Sequence, residues 1–303
     1  MVENLKECRL CPHNCGVNRL KGNKGRCNSD NKLLIALASL HYFEEPCISG
    51  KNGSGTVFFT NCNLACKYCQ NYEISQCQKG KEITIKHLAE IFLKQQQEGA
   101  NNINLVTPTS YVYQIIEALD IAKKNGLTIP IIYNTNGYEK KETIDLLKGY
   151  IDIYLPDLKY YNNELSKKYS GIDNYFKIAT NAIKEMYKQV GKAVFSEEGI
   201  LQKGVIIRHL VLPNHILNTK HILKWVKENM PEDIYISVMA QYFPTYKAKE
   251  DNLINRKLNK KEYKQVEQYL YSLNLENGYI QELGKHEEEY VPEFNFRGVY
   301  SSD

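Results

Sequence analysis

No cysteine follows Cys77 in this chain of 303 residues; all nine, Cys8, Cys11, Cys15, Cys27, Cys47, Cys62, Cys66, Cys69 and Cys77, lie in its first part. An odd, one-sided set argues against the disulfide framework that staples small secreted domains, and leaves metal or iron–sulfur ligation as the better account. A dominant charge is also missing. With 39 basic and 35 acidic residues and a formal net charge of +4, the chain lacks the field that would make nucleic acid its main partner. Long apolar runs are absent too. The longest, "LLIALASL", is far short of the roughly 20 residues that span a bilayer. The opening "MVENLKECRLC" carries no charged-then-apolar signal pattern. The expected location is therefore the cytoplasm, with no membrane partner.

What is present is a regular alternation of strand and helix in a chain that is 43% hydrophobic. "GTVFFT", "NINLVTP", "IPIIYNTN", "IDIYLPDLK", "GVIIRHLVLP" and "IYISVMAQYFP" read as buried strands, short runs rich in β-branched and aromatic residues. Between them come helical patterns such as "YVYQIIEALDIAKKNG", with Val112, Ile115, Ile116, Leu119 and Ala122 on one face and Gly126 placed to end it. Six βα units predict a parallel sheet with right-handed crossovers. They are too few for a closed eight-stranded barrel, so the choices are an open doubly wound sheet or a partial barrel, with the working end at the C-terminal strand ends. Polar residues recur there: Thr107 and Thr109, Asn134 and Asn136, Asp157 and Lys159, Arg208 and His209, Gln241 and Tyr242. Five consecutive polar strand ends predict a lined site.

The first of these strands runs into "FFTNCNLACKYCQN", where Cys62, Cys66 and Cys69 are spaced by four and then three. Three thiolates from one tight loop can hold three corners of a cubane 4Fe-4S cluster and leave the fourth iron open. Structural zinc wants four closed ligands, commonly as two Cys-x2-Cys pairs, and this loop supplies three. With Tyr68 just before the third cysteine, the loop resembles the signature of the radical SAM superfamily. The resemblance covers roughly residues 55 to 275. Carried by "FFTNCNLACKYCQN", "YNTNGY", "LPDLKYY" and "IRHLVLP" in that order, it is nearest to the pyruvate formate-lyase activating enzymes and their uncharacterised relatives.

That resemblance implies an α/β fold, a partial (β/α)6 TIM-like barrel with a small N-terminal cysteine-rich metal-binding module. It also implies an oxidoreductase that reductively cleaves S-adenosylmethionine (SAM) to a 5′-deoxyadenosyl radical for hydrogen abstraction. Cys62, Cys66 and Cys69 would ligate the cluster, and Tyr68 would lie against the adenine. Asn134, Thr135 and Asp157 match positions that surround a monovalent cation beside the SAM carboxylate in the activating enzymes; Asn134 stands where an aspartate is expected. Arg208 would approach the SAM carboxylate or ribose, and Gln241 with Tyr242 would edge the adenine. Where the family binds the SAM amino group with a Gly-Gly-Glu-like segment this chain has "VTPT", so Thr107, Thr109 or the carbonyls beside Pro108 take that role. The implied partners are a one-electron donor such as flavodoxin or ferredoxin, and a glycyl-radical protein as substrate. A small molecule or peptide is the alternative substrate. A zinc-stabilised RNA-binding or scaffold protein is the alternative from another class.

The N-terminal "CRLCPHNCGVNRLKGNKGRC" sets Cys8, Cys11, Cys15 and Cys27 among Gly and Pro turns as a compact knuckle able to supply four thiolates. Zinc and an auxiliary iron–sulfur cluster both fit. Cys47 and Cys77 read as ordinary small thiols, and Glu44 and Glu45 as turn charges. The expected division is an N-terminal module and linker over 1–50, a barrel over 51–277 and an extension over 278–303.

Overall fold

A computed structural model describes residues 2–284 and 291–300. Among the described residues ten strands form one sheet: β1 (Leu33–His41), β2 (Ser54–Phe59), β3 (Lys81–Ile83), β4 (Ile103–Val106), β5 (Ile131–Thr135), β6 (Ile153–Pro156), β7 (Val194–Phe195), β8 (Leu201–Leu210), β9 (Tyr235–Met239) and β10 (Gly278–Ile280). Their order is β10-β9-β8-β6-β5-β4-β2-β1-β3, with β7 paired beside β8. The run from β2 through β4, β5, β6, β8 and β9 is parallel throughout, and β10 adds a further parallel strand. The sheet has two ends and does not close, which is the partial barrel expected from six βα units. After β2, β4 and β5 the ladder gives way to polar residues, Thr60, Thr107 and Asn136, that begin the loops.

The apolar run that includes "LLIALASL" is β1, antiparallel to β2 and to β3. It buries side chains on both faces: Leu33, Ile35 and Ala38 join the main core, while Ala36 and Leu37 pack with Phe58, Ile74, Val106 and Phe294. The divisions expected after residues 50 and 277 therefore run through a continuous sheet. The chain after β10 returns to the same edge: the Ala38 amide donates to Arg297 O, the Phe296 amide donates to Ala36 O, and the Phe294 ring meets Phe58 edge-on.

Helices cover the outer face: α3 (Ile85–Gln97), α4 (Val112–Lys124), α5 (Lys141–Leu146), α6 (Asn163–Ser170), α7 (Tyr175–Val190), α8 (Ile216–Asn229) and α9 (Lys260–Ser272), after the short α1 (Pro46–Ser49) and α2 (Tyr72–Ser75). Among the described residues no helix is long and apolar enough to cross a membrane. Inside the barrel, Ile132, Ile153, Leu155 and Ile206 form an apolar cluster with Cys47 and Ile48 of α1, so that this helix plugs the lumen. Two residues further along three of those strands stand Asn134, Asp157 and Arg208. The strand pleat thus stacks a polar layer directly on an apolar floor.

Away from the barrel mouth, α9 begins with a full capping box, in which the Asn259 side chain accepts from the Glu262 amide and Glu262 accepts from the Asn259 amide. Glu262 also accepts two hydrogen bonds of 2.8 Å from Arg256 and one from the Asn214 amide. The Arg256 contacts, with the two amides, hold its carboxyl down at about 2. A depressed carboxylate contributes stability above its unfolded pKa and loses it as pH falls through the folded value. Glu262→Gln is expected to cost about 1 kcal/mol at neutral pH, the size of a lost cap. Thermal unfolding of both proteins should show the gap closing as pH falls below about 4.

Candidate functional site

The cysteine loop begins with Asn61 at φ 72, a left-handed turn that asparagine tolerates and that reverses the chain out of β2. The Asn61 amide donates to Ile74 O, and its side-chain amide donates to Tyr111 Oη at 3.2 Å, tying the loop to α2 and to the residue before α4. Cys62, Cys66 and Cys69 line one cavity of about 610 Å³, with Tyr68, Thr107, Asn134, Thr135, Asp157, Arg208 and Gln241 also on its wall. That volume lies within the range of small-molecule and cofactor sites.

Each sulfur has a polar partner. The Leu64 amide (3.4 Å) and Asn136 Nδ2 (3.3 Å) donate to Cys62 Sγ. Cys66 Sγ lies 3.0 Å from Ser170 Oγ, which in turn meets Tyr160 Oη at 2.7 Å. Cys69 Sγ lies 3.2 Å from Ser75 Oγ. Burial pushes all three thiols up, Cys69 to about 11, and charge on Cys66 raises Cys62 and Cys69 further. Buried thiols of this kind are poor free nucleophiles. They become thiolates when metal ligation removes the proton. Among the described residues no three His, Cys, Asp or Glu side chains close on a point tightly enough for one mononuclear ion. A cubane, in which each thiolate takes a different iron, asks for a wider set. The donor chemistry of this loop fits such a cluster.

Deeper in the cavity, Arg208 organises the polar layer. Its Nε donates to Asp157 Oδ1 at 3.2 Å, Nη1 to Glu44 Oε2 at 3.2 Å and Nη2 to Asn134 Oδ1 at 2.5 Å. Lys159 Nζ takes the other Asp157 oxygen at 2.6 Å. Burial alone would raise the Asp157 carboxyl; Lys159 and Arg208 outweigh it and hold the group below its ordinary value. Burial raises Glu44 and Glu45, with Arg208 only partly opposing. Glu44 is further held by Asn104 Nδ2 at 3.0 Å. Glu45 Oε2 is buried without a partner. Both glutamates lie in the cavity wall, which corrects their reading as turn charges: the segment between β1 and α1 passes inside the barrel. Nothing local in "HYFEEPC" signals that, since the contacts are with residues from Asn104 to Ser237 in sequence.

Two backbone features fix this layer. Gly137 has φ +80, and a Cβ on it would stand 2.2 Å from Asp157 O, so only glycine lets the β5 and β6 loops approach. Tyr175 Oη then donates across both carbonyls, Asn136 O at 2.8 Å and Asp157 O at 2.7 Å. Thr107 sits at φ 60, its amide donating to Asn134 O. A β-branched residue at positive φ carries strain of order 1–3 kcal/mol.

Several expected site residues turn away. Thr135 still touches the cavity wall, but its Oγ1, like Thr109 Oγ1, donates to Glu139 Oε1, the latter at 2.6 Å. Thr109 does not line the cavity. His209 alternates with Arg208 on β8 and faces outward, its ring between Leu158 O (2.6 Å) and Thr219 Oγ1 (2.9 Å). Burial holds it neutral, at about 4. Tyr242 is core: its hydroxyl donates to Ile254 O, and its ring meets Tyr68 edge-on at 6.0 Å. With Tyr160 and Tyr169 it boxes Tyr68, which remains at the cavity wall. Gln241 is joined by two glutamines that sequence reading missed: Gln70 Nε2 donates to Gln241 O at 3.0 Å, and Gln281 Nε2 to Gln241 Oε1 at 2.6 Å. Cys47 lies in the apolar floor and Cys77 is exposed, both outside the cavity wall.

The sequence profile described as the radical SAM superfamily matches residues 56–196. An uncharacterised protein of Methanocaldococcus jannaschii is 35% identical over 286 residues, covering 89% of this chain and 77% of that protein. The pyruvate formate-lyase 1-activating enzyme of Escherichia coli is 26% identical over 153 residues, 47% of this chain and 60% of that enzyme. SuiB of Streptococcus suis, solved bound to precursor peptide SuiA, superposes with a TM-score of 0.49 at 18% identity, over 73% of this chain and 46% of that one. With its cysteine loop at the mouth of a parallel partial barrel, and with these sequence matches, the chain belongs to the radical SAM superfamily.

Proposed function

We propose that Cys62, Cys66 and Cys69 hold a 4Fe-4S cluster at the barrel mouth, that SAM binds in the cavity behind it, and that the enzyme acts as an activase for a glycyl-radical protein. The observation that carries the reading is the meeting of three buried, hydrogen-bonded sulfurs and one charged polar layer on a single cavity. When bound and reduced, cluster and SAM together supply a 5′-deoxyadenosyl radical that removes a hydrogen atom from substrate.

The chain's own residues hold and shield this chemistry. Leu64, Asn136, Ser170 and Ser75 direct hydrogen bonds at the three sulfurs, which favours the ligating thiolate form. Lys159 lies within electrostatic reach of both Asp157 and Cys66 and offsets charge gathered there. Arg208, held by Asp157, Glu44 and Asn134, is pre-aimed for an anionic group of the cofactor. Both Asp157 oxygens already meet cations, Arg208 and Lys159, so these side chains serve where the family resemblance implied a monovalent ion. Tyr68 gives the cavity an aromatic wall.

Enzymes of this superfamily need a reductant; flavodoxin or ferredoxin is the proposed donor. The activase reading is supported by the likeness to the pyruvate formate-lyase 1-activating enzyme. A second reading, modification of a small molecule or peptide side chain, rests on the cavity itself, whose wall carries Glu44 and Glu45 beyond the cysteine loop. The scaffold alternative falls with family membership. Anaerobically reconstituted protein, reduced with dithionite and given SAM, is expected to form methionine and 5′-deoxyadenosine. A protein with a full cluster that forms neither would overturn the SAM reading. A glycyl-radical doublet in the electron paramagnetic resonance spectrum of an added glycyl-radical protein separates the two substrates.

A further inference from the structure

The four N-terminal cysteines are not used by that chemistry. Cys8 and Cys27 are buried, Cys11 is half-buried and Cys15 is exposed. Their segment is wound tightly: the Cys8 amide donates to Val17 O at 3.0 Å and the Gly16 amide to Cys8 O at 2.9 Å, while turns at Cys11–Asn14 and Gly25–Asn28 present Cys11 and Cys27. Cys11 lies within electrostatic reach of both Cys15 and Cys27.

Three observations go beyond spacing. First, backbone amides point at the sulfurs. The His13 amide bonds Cys11, two residues back, and the Arg26 amide donates to Cys15 Sγ at 3.3 Å. The two-residue amide-to-sulfur step recurs at Leu64 to Cys62 and Asn71 to Cys69, so the knuckle repeats the local geometry of the cluster loop. Second, Gly25 leaves room for a sulfur: a Cβ there would stand 2.8 Å from Cys15 Sγ, so a side chain would displace that thiol from the place it now takes. Third, Arg19 is 1% exposed. Its guanidinium donates to Asp30 O at 2.6 and 2.8 Å and to Ser110 O at 2.8 Å. Among the described residues no carboxylate lies within ion-pair distance of it, and Cys8 Sγ stands 3.9 Å from Nη1. Arginine is always charged, and a buried charge without a counter-ion is strongly destabilising. Thiolates are the anions within reach. A buried Glu139 oxygen, Oε2, is also without a partner, and that carboxyl lies near Cys11.

We infer that Cys8, Cys11, Cys15 and Cys27 bind a thiophilic metal centre, whose thiolates neutralise Arg19. Zinc and an iron–sulfur cluster share this thiolate chemistry. For a single ion the thiols must draw together from the spacing seen here, since none of the groups closes on one point. The centre sits against the cluster loop: His13 Nε2 meets Asn63 O at 2.8 Å, and Asn63 Oδ1 accepts from Asn136 Nδ2 at 2.7 Å, the amide that also reaches Cys62. Its second role is therefore to brace the backbone that carries Cys62.

The test does not depend on the radical chemistry. A full-length variant with Cys62, Cys66 and Cys69 all changed to Ser removes the other thiolate set, and zinc, iron and sulfide per chain are counted after zinc supplementation and after anaerobic reconstitution. About one zinc, or about four irons with matching sulfide, is expected and distinguishes the two sources; adding Cys11→Ser and Cys15→Ser should abolish it. A folded triple variant without metal under either condition overturns the proposal. If that variant fails to fold, native alkylation of the reconstituted wild type, mapped by mass spectrometry, decides instead. Cys15 and Cys77 are both exposed, so ligation predicts slow labelling of Cys15 beside fast labelling of Cys77. Equal rates would overturn it.

Discussion

Cys66→Ala is expected to remove SAM cleavage, a loss of more than about 100-fold given that changes merely next to a metal ligand cost 10- to 100-fold. Cys66 is the middle member of the loop and the most enclosed, with its sulfur against Ser170 Oγ and Lys159 within electrostatic reach. Alanine in its place leaves two sulfurs from Cys62 and Cys69, too few to hold a cubane that already has one open iron. Ser170→Ala provides the graded comparison. It removes one hydrogen bond from the sulfur and one from Tyr160 Oη while keeping all three proposed ligands, and a loss of about 10-fold is expected. The measurement is iron and sulfide content together with 5′-deoxyadenosine formed under anaerobic reduction. Cleavage surviving at the wild-type rate in Cys66→Ala would mean that the loop does not carry the cluster.

How much of this was readable beforehand depends on whether the signal is local. The cysteine spacing and the six strand–helix alternations are local patterns, and both reappear in the fold. β10 escapes the sequence because three residues starting at Gly278 carry no run to detect, and β1 reads as linker because antiparallel pairing to β2 leaves no trace in either segment alone. Strand-end polarity was over-read for a different reason. In a pleated strand neighbours face opposite sides, so Arg208 and His209 cannot both enter the lumen, and Thr135 turns its hydroxyl to Glu139 while Asn134 meets Arg208. Parity would have separated them. Glu44, Glu45 and Gln281 lie outside that logic, since they enter the cavity from segments beyond the six strands. Their burial is a tertiary fact.

Those acids make Arg208→Ala the most disruptive change expected outside the cysteine loop. Arg208 alone joins Asp157, Glu44 and Asn134, and all of these side chains are at most 15% exposed. Removing the guanidinium leaves Glu44 and Glu45 buried side by side without a cation, while Asp157 keeps Lys159. Breaking a buried network in this way costs about 3–5 kcal/mol. It should also weaken SAM binding, because the group aimed at an anion is gone. The pH dependence identifies the cause. Burial already raises Glu44 and Glu45 above the ordinary carboxylate range, and Arg208 is the group that opposes the rise. A carboxyl raised in the folded state contributes stability when protonated and loses it as pH climbs through the folded value. In the variant that value climbs further. Urea unfolding of Arg208→Ala should therefore show stability recovering as pH falls toward the ordinary carboxylate range, with the gap to wild type narrowing. Asp157, held low by Lys159, adds little change over that interval. A gap that stays constant with pH would mean that the variant loses packing alone, and that the two glutamates do not share Arg208 as their counter-ion.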